Sequence, residues 1–372
     1  MTDIDTRARL AAFTRRRLLK AAALASMVAS TATPARAAGK KVVGFLASGP
    51  WNDFGYTQSH LDAIQELAKD PNLKIIKEEG VPETADVQKS IRSMIEIDGA
   101  SLIVGTSYGY FEPHMIEMAK RYPKVQFLHC GGFWTAGMPK NLTTYFAYGD
   151  EVSYISGVVA GKMAAGKPIG YVASKPVGVV LSGINAFALG ARSVDPKASV
   201  QLVLTGEWSD PVKEANATNS LIDKGAGVLA IDVDAPKVVI DTCAKRGVMC
   251  IGRHTNLSSL APKTFLTGSE WNWLPAYQAA LAGKMQGQNI RGGLAQNMVR
   301  NSPFGAAVSS DARAAAETAK AELLSGKRAV YAGPIKDNTG KLRVPAGKTV
   351  AISDPSWESV DWLVEGIIGK AS

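Results

Sequence analysis

Short apolar runs alternate with amphipathic segments along the chain. The run 42–47 is apolar on both faces, as expected of a parallel strand that helices cover on each side. Gly49 and Pro50 end this run, and a helical pattern then places Leu61 and Ile64 on one face. Alternation of strand and helix predicts a parallel sheet with helices on both of its faces.

The alternation forms two successive sets of elements. The first set is predicted as strands at 42–47, 73–77, 101–105, 125–129 and 142–146 and helices at 59–68, 85–97 and 112–121. The second is predicted as strands at 169–173, 200–204, 227–231 and 248–252 and helices at 151–164, 184–192, 211–224 and 236–245. Beyond the apolar segment 265–267, the pattern predicts a helix at 273–287, a strand at 306–309, a helix at 311–324 and a hairpin at 330–345.

The two sets are related by an internal repeat. Four anchors recur 125 or 126 positions later, and they are Gly44 with Gly170, Asp70-Pro71 with Asp195-Pro196, 99–104 with 225–230, and 119–121 with 244–246. This spacing is too long for a solenoid and has the size of a domain. A chain of 372 residues also exceeds one ordinary core. The sequence therefore predicts two similar α/β lobes in tandem.

The first 37 residues have the features of an export signal. Arg15, Arg16 and Arg17 precede a weakly apolar run, and 35–37 provides a small-x-small cleavage site near Ala37. The paired arginines resemble a twin-arginine signal; the alternative is an amphipathic N-terminal helix. The segment holds seven Lys or Arg and two acids, so its removal lowers the formal net charge from +9 to +4. Because the basic balance resides mostly in the signal, we expect no nucleic-acid partner.

The cysteines bear on location and redox state. None of Cys130, Cys243 and Cys250 follows the signal where a lipid-accepting cysteine would stand, so we expect the mature protein to be free in the periplasm. That compartment permits disulfides. Cys243 and Cys250 are close enough in sequence to pair, but the pattern favours buried free thiols.

Residues beyond the carboxyl ends of the strands are the candidates for a binding site, because ligands of open parallel sheets bind there. The candidate ligand-binding residues are Trp51, Asn52, Asp53, Tyr56, Tyr108, Trp208, Asp232, His254, Glu270 and Trp271. With Trp134 and Trp273, five of the seven tryptophans follow strands. Tryptophans at loop tips predict a flat ligand between aromatic faces; the alternative is that they pack beneath their own loops.

Catalytic patterns are weak. The four histidines are scattered without metal-ligand spacing, and no Gly-x-Ser-x-Gly elbow or Walker loop is present. Asp232 and Asp234 are spaced as an acid pair, although carboxylates at a strand end more often accept hydrogen bonds. We expect a binding protein without cofactor or metal, not an enzyme.

Four segments carry a family resemblance, and they are 52–59, 122–127, 150–161 and 206–211. With the two lobes behind an export signal, they resemble the basic membrane protein (PnrA-like) family, the purine-binding receptors of ABC importers. The resemblance covers nearly all of residues 40–330. It implies a type I periplasmic binding protein with two Rossmann-like lobes, a hinge and a ligand cleft between the lobes.

The resemblance also implies a division of the chain and roles for particular residues. The expected first lobe is 40–146 plus 268–325, and the expected second lobe is 147–267 plus 326–372. Tyr56 or Trp51 from one lobe and Trp208 from the other would sandwich a purine, with Asp53 and Asn52 beside it. A monomer that delivers its ligand to an inner-membrane permease is expected.

Two positions depart from the family pattern. Nucleoside receptors carry acids after the strand that ends here at Gly252 and a lysine after the next strand, and these residues hold the ribose. Here the positions read 253–256, Arg-His-Thr-Asn, and 268–271, Gly-Ser-Glu-Trp. The departure favours a free base such as adenine. The alternatives are a sugar or signal receptor of the same fold and an exported nucleoside-processing enzyme.

Overall fold

The computed structural model describes residues 40–283 and 286–371, and the proposed export signal lies outside these residues. Two parallel sheets organise the chain from Lys41 onward. The strands of the first sheet are β1 Lys41–Leu46, β2 Leu73–Glu78, β3 Leu102–Gly105, β4 Gln126–Cys130, β5 Leu142–Ala147 and β11 Asn289–Gly292. They are ordered β2-β1-β3-β4-β5-β11, and each neighbouring pair is parallel.

The second sheet repeats this order. Its strands are β6 Ile169–Ala173, β7 Val200–Leu204, β8 Val228–Asp232, β9 Met249–His254, β10 Phe265–Trp271, β12 Val299–Asn301 and β17 Ile367–Ile368. They are ordered β17-β7-β6-β8-β9-β10-β12, with β12 antiparallel to β10. The five strands β7-β6-β8-β9-β10 match β2-β1-β3-β4-β5 one for one, which confirms the predicted tandem α/β repeat.

One pair of repeat anchors has a common physical role. A Cβ added at Gly44 in β1 would lie 2.6 Å from Met94 Sδ, and one at Gly170 in β6 would lie 2.7 Å from Leu229 Cδ1 and 3.1 Å from Leu221 Cβ. At both places the missing side chain lets neighbouring side chains pack onto a central strand. The two glycines recur because each lobe packs in the same way.

Helices cover the faces of both sheets. They are α1 Tyr56–Leu67, α2 Asp86–Glu96, α3 Ile116–Arg121, α4 Asp150–Met163, α5 Gly178–Val194, α6 Pro211–Asp223, α7 Lys237–Arg246, α8 Leu274–Leu281 and α9 Ser310–Leu324. Most agree with the predicted helices to within a few residues, although α5 begins six residues earlier than predicted and α8 ends at Leu281 instead of 287.

Two local predictions are wrong. The helix predicted at 112–121 is irregular before α3, because Glu112 is extended (φ −118°, ψ 128°) ahead of Pro113. The strand predicted at 306–309 is a turn that leads into α9. Ser309 caps that helix by accepting a hydrogen bond from Ala312 N–H at 3.2 Å.

Three connections join the lobes. The chain passes from β5 to α4 at 148–149, from β10 to α8 at 272–273, and from β11 to β12 at 293–298. The structure corrects the expected boundaries in this region. The expected first-lobe segment 268–325 in fact divides, because α8 and β11 join the first lobe whereas β12 is part of the second sheet and α9 packs in the core of the second lobe.

The C-terminal tail folds onto the second lobe. Its two short antiparallel pairs are β13 Tyr331–Ala332 with β16 Thr349–Val350 and β14 Ile335–Lys336 with β15 Leu342–Val344. The second pair forms the hairpin predicted within 330–345. A 3₁₀ turn, Pro355–Ser359, follows, and β17 then joins the edge of the sheet beside β7.

The cysteines show the redox state of the thiols, and the lengths and polarity of the helices bear on membrane insertion. Cys130, Cys243 and Cys250 are all buried and free, in agreement with the interpretation of buried thiols. In the described part of the chain, every helix is too short or too polar to cross a membrane.

Helices α4 and α5 pack at backbone distance, as the small residues of α4 predict. A Cβ at Gly157 in α4 would lie 2.0 Å from Phe187 O, and one at Gly190 in α5 would lie 2.0 Å from Tyr154 O. By contrast, a Cβ at Gly183 in α5 would meet nothing nearer than 3.7 Å. The contact therefore depends on particular glycines and not on glycine content alone.

Replacing Gly190 by alanine should destabilise the protein by about 1–3 kcal/mol, the usual cost of overpacking a tight core. Gly183→Ala is the matched control in the same helix, and it should be neutral or stabilising by about 0.5–1 kcal/mol because alanine is the better helix former. Urea unfolding of both variants measures the difference. Equal stabilities would contradict the inferred backbone contact.

Candidate ligand-binding site between the lobes

The two lobes touch directly at the loop after β1. Tyr56 N–H donates to Asp234 O at 3.0 Å, and Thr255 Oγ1 donates to Phe54 O at 2.8 Å. A Cβ at Gly55 would lie 1.8 Å from Asp234 O, so only glycine allows this approach. These contacts close the lobes over the residues predicted to bind ligand.

Asp53 shapes the loop that makes this contact. Its carboxylate accepts hydrogen bonds from the N–H groups of Gly55 at 2.8 Å, Thr57 at 2.8 Å and Gln58 at 2.9 Å. Desolvation raises the pKa of Asp53 despite these bonds. The carboxylate predicted as a ligand contact therefore holds the first turn of α1.

The two aromatics predicted to stack on a ligand lie on either side of Asp234. Asp234 O accepts from Tyr56 N–H at 3.0 Å, and Asp234 N–H donates to Trp208 O at 2.8 Å. The hydroxyl of Tyr56 donates to Thr106 O at 2.8 Å. The ring of Trp208 is half-buried with Lys175 Nζ 5.4 Å from its centroid. One residue thus links the loops that carry both rings.

The carboxyl group of Asp234 is surrounded by other acids. Desolvation raises its pKa well above the usual value, and the charges of Asp53, Asp232, Glu214 and Glu83 add to this effect. Asp234 is not among the site residues predicted from the sequence. Its position two residues after Asp232, beyond the end of β8, is the sequence feature that could have identified it. A site with several desolvated carboxyls favours a ligand that donates hydrogen bonds.

Asp232 is buried and paired with Arg253. Arg253 Nε lies 3.3 Å from Asp232 Oδ1, and Arg253 Nη1 donates to Ser153 Oγ at 3.3 Å. The second carboxylate oxygen, Oδ2, has no hydrogen-bond partner within the structure. Burial raises the pKa of Asp232, and the guanidinium opposes that shift. This free acceptor atom is what a bound N–H donor would satisfy.

Trp271 and Trp273 form part of an aromatic stack that spans the lobes. The rings of Trp271 and Trp273 lie 5.2 Å apart at 23°, and Trp273 stacks on His60 of α1 at 5.0 Å and 9°. The guanidinium of Arg253 lies 4.6 Å from the centroid of Trp271. Since Trp271 is 7% and Trp273 0% exposed, both are core residues.

His254 has no free ring nitrogen for a ligand. Trp271 Nε1–H donates to His254 Nδ1 at 2.8 Å, so the proton of the neutral imidazole is on Nε2, which donates to Val233 O at 3.1 Å. Desolvation and the charge of Arg253 lower the pKa of His254 well below its ordinary range. The backbone here is left-handed, with φ +73°. Both ring nitrogens of His254 are therefore engaged within the protein, and its predicted contact with ligand stays a prediction.

The tryptophans predicted as loop tips are mostly packed. Trp51 is 6% exposed, and its backbone N–H donates to Glu79 Oε2 at 2.6 Å. Trp134 is half-buried, with Nε1–H donating to Pro139 O at 3.1 Å. With Trp271 and Trp273 in the core, Trp208 and Trp134 are the partly exposed members. Of the two interpretations of these tryptophans, the alternative of packing applies to Trp51, Trp271 and Trp273, which lie together in one hydrophobic core cluster.

The remaining candidates are dispersed around the cleft. Asn52 is exposed, and Tyr108 is 71% exposed. Glu270 is buried, and its Oε2 accepts from Arg300 Nε at 2.7 Å while Oε1 has no hydrogen-bond partner within the structure. Among the described residues, no group of three His, Cys, Asp or Glu is arranged to hold a metal ion.

The variant Asp234→Asn should be more stable than the wild type at pH 7 without ligand. Folding raises the pKa of Asp234 above 3.8, so the folded state binds the proton of this carboxyl group more tightly than the unfolded state does. The stabilisation from this proton is complete below pH 3.8 and is lost as pH rises through the raised pKa. The difference in melting temperature should therefore shrink as pH falls towards 4.

The control for this test is Asp86→Asn, since the Lys89 ammonium lowers the pKa of exposed Asp86. That variant should gain no stability at pH 7. A lower melting temperature for Asp234→Asn than for wild type at pH 7 would contradict the inferred electrostatic cost.

Comparison with known proteins shows the family to which this chain belongs. The family model for PnrA-like ABC-transporter substrate-binding proteins, Bmp, matches residues 40–299. A purine-binding protein of Brucella abortus is 35% identical over 342 residues, which cover 90% of this chain and 95% of that protein. A putative ABC-transporter glucose-binding protein of Haloferax volcanii is 30% identical over 62% of this chain and 59% of that protein.

Solved structures share the fold. A solute-binding protein of an ABC transporter from Conexibacter woesei superposes with a TM-score of 0.66 at 24% identity and covers 77% of this chain and 97% of that one. A solute-binding protein of an ABC transporter from Aeropyrum pernix superposes with a TM-score of 0.66 at 17% identity and covers 80% of this chain and 93% of that one. The fold is that of type I periplasmic binding proteins, and the chain belongs to the PnrA-like family of ABC-transporter substrate-binding proteins.

Proposed function

We propose that this protein is the periplasmic receptor of an ABC importer and that it binds a purine, in the form of a free base such as adenine, between its lobes. The observation that carries the proposal is the position of Asp234, whose backbone joins the loops of Tyr56 and Trp208. A flat ligand held between these rings would have desolvated carboxyls at its edge. The lobes would then close on the base and present it to a permease.

The chemistry of a purine suits these groups. Its two faces stack on aromatic rings, and its exocyclic amine and ring N–H are donors for carboxylates. Asp232 Oδ2 is a buried acceptor with no hydrogen-bond partner within the structure, and Asp234 lies beside it in sequence. The exposed amide of Asn52 would serve the nitrogen acceptors of the ring. Closure excludes water, which strengthens each of these hydrogen bonds.

The preference for a base over a nucleoside rests on Trp271 and Arg253. Trp271 is fixed between Trp273 and the guanidinium of Arg253, and its indole N–H is held by His254. It therefore cannot move aside cheaply to admit a sugar. Arg253 occupies a position where the family's nucleoside receptors have an acid, and a guanidinium accepts no hydrogen bond from a ribose hydroxyl.

The relatives support two ligand classes to different degrees. The purine-binding relative matches this chain over nearly its whole length, which supports the purine. The relative named as a putative glucose-binding protein matches over about three fifths of its length. Since aromatics and carboxylates also hold pyranoses, a sugar is the second candidate.

The twin-arginine route of export belongs to the same proposal and rests on Arg15 and Arg16.

One prediction of this proposal concerns the ring of Trp208, which would stack on the ligand. Trp208→Ala should weaken adenine binding by roughly 1–3 kcal/mol, the usual contribution of base–aromatic stacking. Trp208→Phe is the control and should retain most of the affinity because it keeps a ring. Calorimetric titration measures both variants. Wild-type affinity for Trp208→Ala would exclude Trp208 from the site.

The second prediction concerns ligand choice. Adenine should bind at least about tenfold more tightly than adenosine, since two buried hydroxyls without acceptors cost more than 1.4 kcal/mol, the equivalent of one decade in affinity. Parallel titrations with adenine, adenosine and glucose decide the question. Equal binding of adenosine would refute the size selection, and binding of glucose alone would establish the sugar receptor instead.

A further inference from the structure

Arg291 is a nearly buried cation on the edge strand of the first sheet. It lies in β11 opposite Phe146, and its side chain is 8% exposed. Its Nη2 donates to Gly132 O at 2.9 Å and its Nη1 to Ile290 O at 3.2 Å, while the guanidinium lies 5.4 Å from the ring centroid of Phe133. These groups all belong to the first lobe.

The carboxylate beside Arg291 comes from the C-terminal tail. Glu358 Oε1 lies 3.5 Å from Arg291 Nε, and that nitrogen makes no hydrogen bond within the structure. Glu358 is one third exposed, so water screens the pair only in part. A desolvated guanidinium is costly without a charge partner, and the tail supplies it.

The tail segment that carries Glu358 is anchored on the second lobe. A Cβ at Gly178, at the start of α5, would lie 2.2 Å from Glu358 O, so the turn rests directly on the helix. Trp357 stacks on Tyr331 with centroids 3.5 Å apart at 16°. The hydroxyl of Tyr331 in turn lies within hydrogen-bond distance of the carboxyl group of Asp150 and of Ser182 O. Asp150 is the first residue of α4, directly after a lobe connection.

We propose that tail residues 351–360 form a latch across the two lobes, closed by the ion pair between Arg291 and Glu358. The pair joins the edge strand of the first lobe to a segment fixed on the second. Opening of the lobes would separate the two charges and leave the guanidinium of Arg291 without its partner. Glu358 and Arg291 are thus positioning residues that favour the closed state and slow ligand release.

The two charged residues of the latch lie on either side of the end of the family-model match. The family model matches residues 40–299, so Arg291 lies inside it and Glu358 lies beyond it. The crossing from β11 to β12 passes beside the tail, where a Cβ at Gly293 would lie 3.4 Å from Ile352 Cδ1. The tail therefore contacts a lobe connection as well as both lobes, which places it where it can bias the hinge.

The test is the variant Glu358→Gln, which keeps shape and removes charge. With adenine as the probe in stopped-flow tryptophan fluorescence, the dissociation rate should rise by roughly three- to tenfold while the association rate changes little, on the scale of a partly buried ion pair. This rate arm rests on the proposed purine ligand. An arm that needs no ligand is small-angle scattering of the unliganded protein, in which Glu358→Gln should show a larger radius of gyration than wild type.

The matched control is Glu365→Gln. Glu365 is also in the tail and pairs with Arg192 at 3.5 Å, but both residues belong to the second lobe. This variant should leave dissociation and radius unchanged. Added salt should speed dissociation from the wild type and should have a weaker effect on Glu358→Gln, whereas Glu358→Asp should restore part of the slow release.

The outcomes separate the latch from the ligand assignment. If adenine does not bind the wild type, the purine proposal fails and the scattering arm still tests the latch. If Glu358→Gln matches Glu365→Gln in radius, or if it binds adenine more tightly than wild type, the latch is refuted. The melting temperature of Glu358→Gln should fall below that of Glu365→Gln, because the nearly buried guanidinium of Arg291 loses its charge partner whereas the control pair is more exposed.

Discussion

The stack that runs from His60 through Trp273 and Trp271 to Arg253 determines how the two lobes meet. His60 belongs to the first helix of the first lobe, and Arg253 to a strand of the second. Trp271 ends β10 and Trp273 lies in the connection from β10 to α8, so the connection is packed and not a loose linker. Because each member is buried, a change in one ring displaces its neighbours across the lobe boundary.

The stack also fixes the polar chemistry of the cleft. The indole N–H of Trp271 sets the tautomer of His254, and the ring of Trp271 supports the guanidinium that pairs with Asp232. Arg253 lies beside one carboxylate oxygen of Asp232, and the other oxygen has no hydrogen-bond partner within the structure. A guanidinium accepts no hydrogen bond, so Asp232 is the acceptor of this pair. Packing at the hinge thereby leaves a buried carboxylate oxygen without a hydrogen-bond partner, which is the acceptor that the proposed ligand would use.

Burial makes the charged forms of three carboxyl groups costly in the unliganded protein. Asp53, Asp232 and Asp234 all have raised pKa values because burial penalises their charged forms. Asp53 is compensated by the N–H groups of α1, and Asp232 by Arg253. The charges of other acids add to the cost at Asp234, so the proposed hydrogen-bond donor would offset more there than at Asp53 or Asp232. A receptor that closes on its ligand uses such a difference between its empty and occupied states.

The sequence by itself determined the repeat, the alternation of strand and helix within each lobe and the end of the sheets at which ligand is expected, because these follow from local periodicity and from the common edge of parallel strands. The order of the strands within each sheet came from the structure. It also identified Tyr56 and Trp208 as candidates. It could not determine that Trp51, Trp271 and Trp273 are packed, since burial of a ring depends on which other lobe covers it. The roles of His254, Arg253 and Glu358 were likewise decided by tertiary structure, because each depends on a partner distant in sequence: Trp271 for the tautomer, Asp232 for the buried charge, and Arg291 across the lobes.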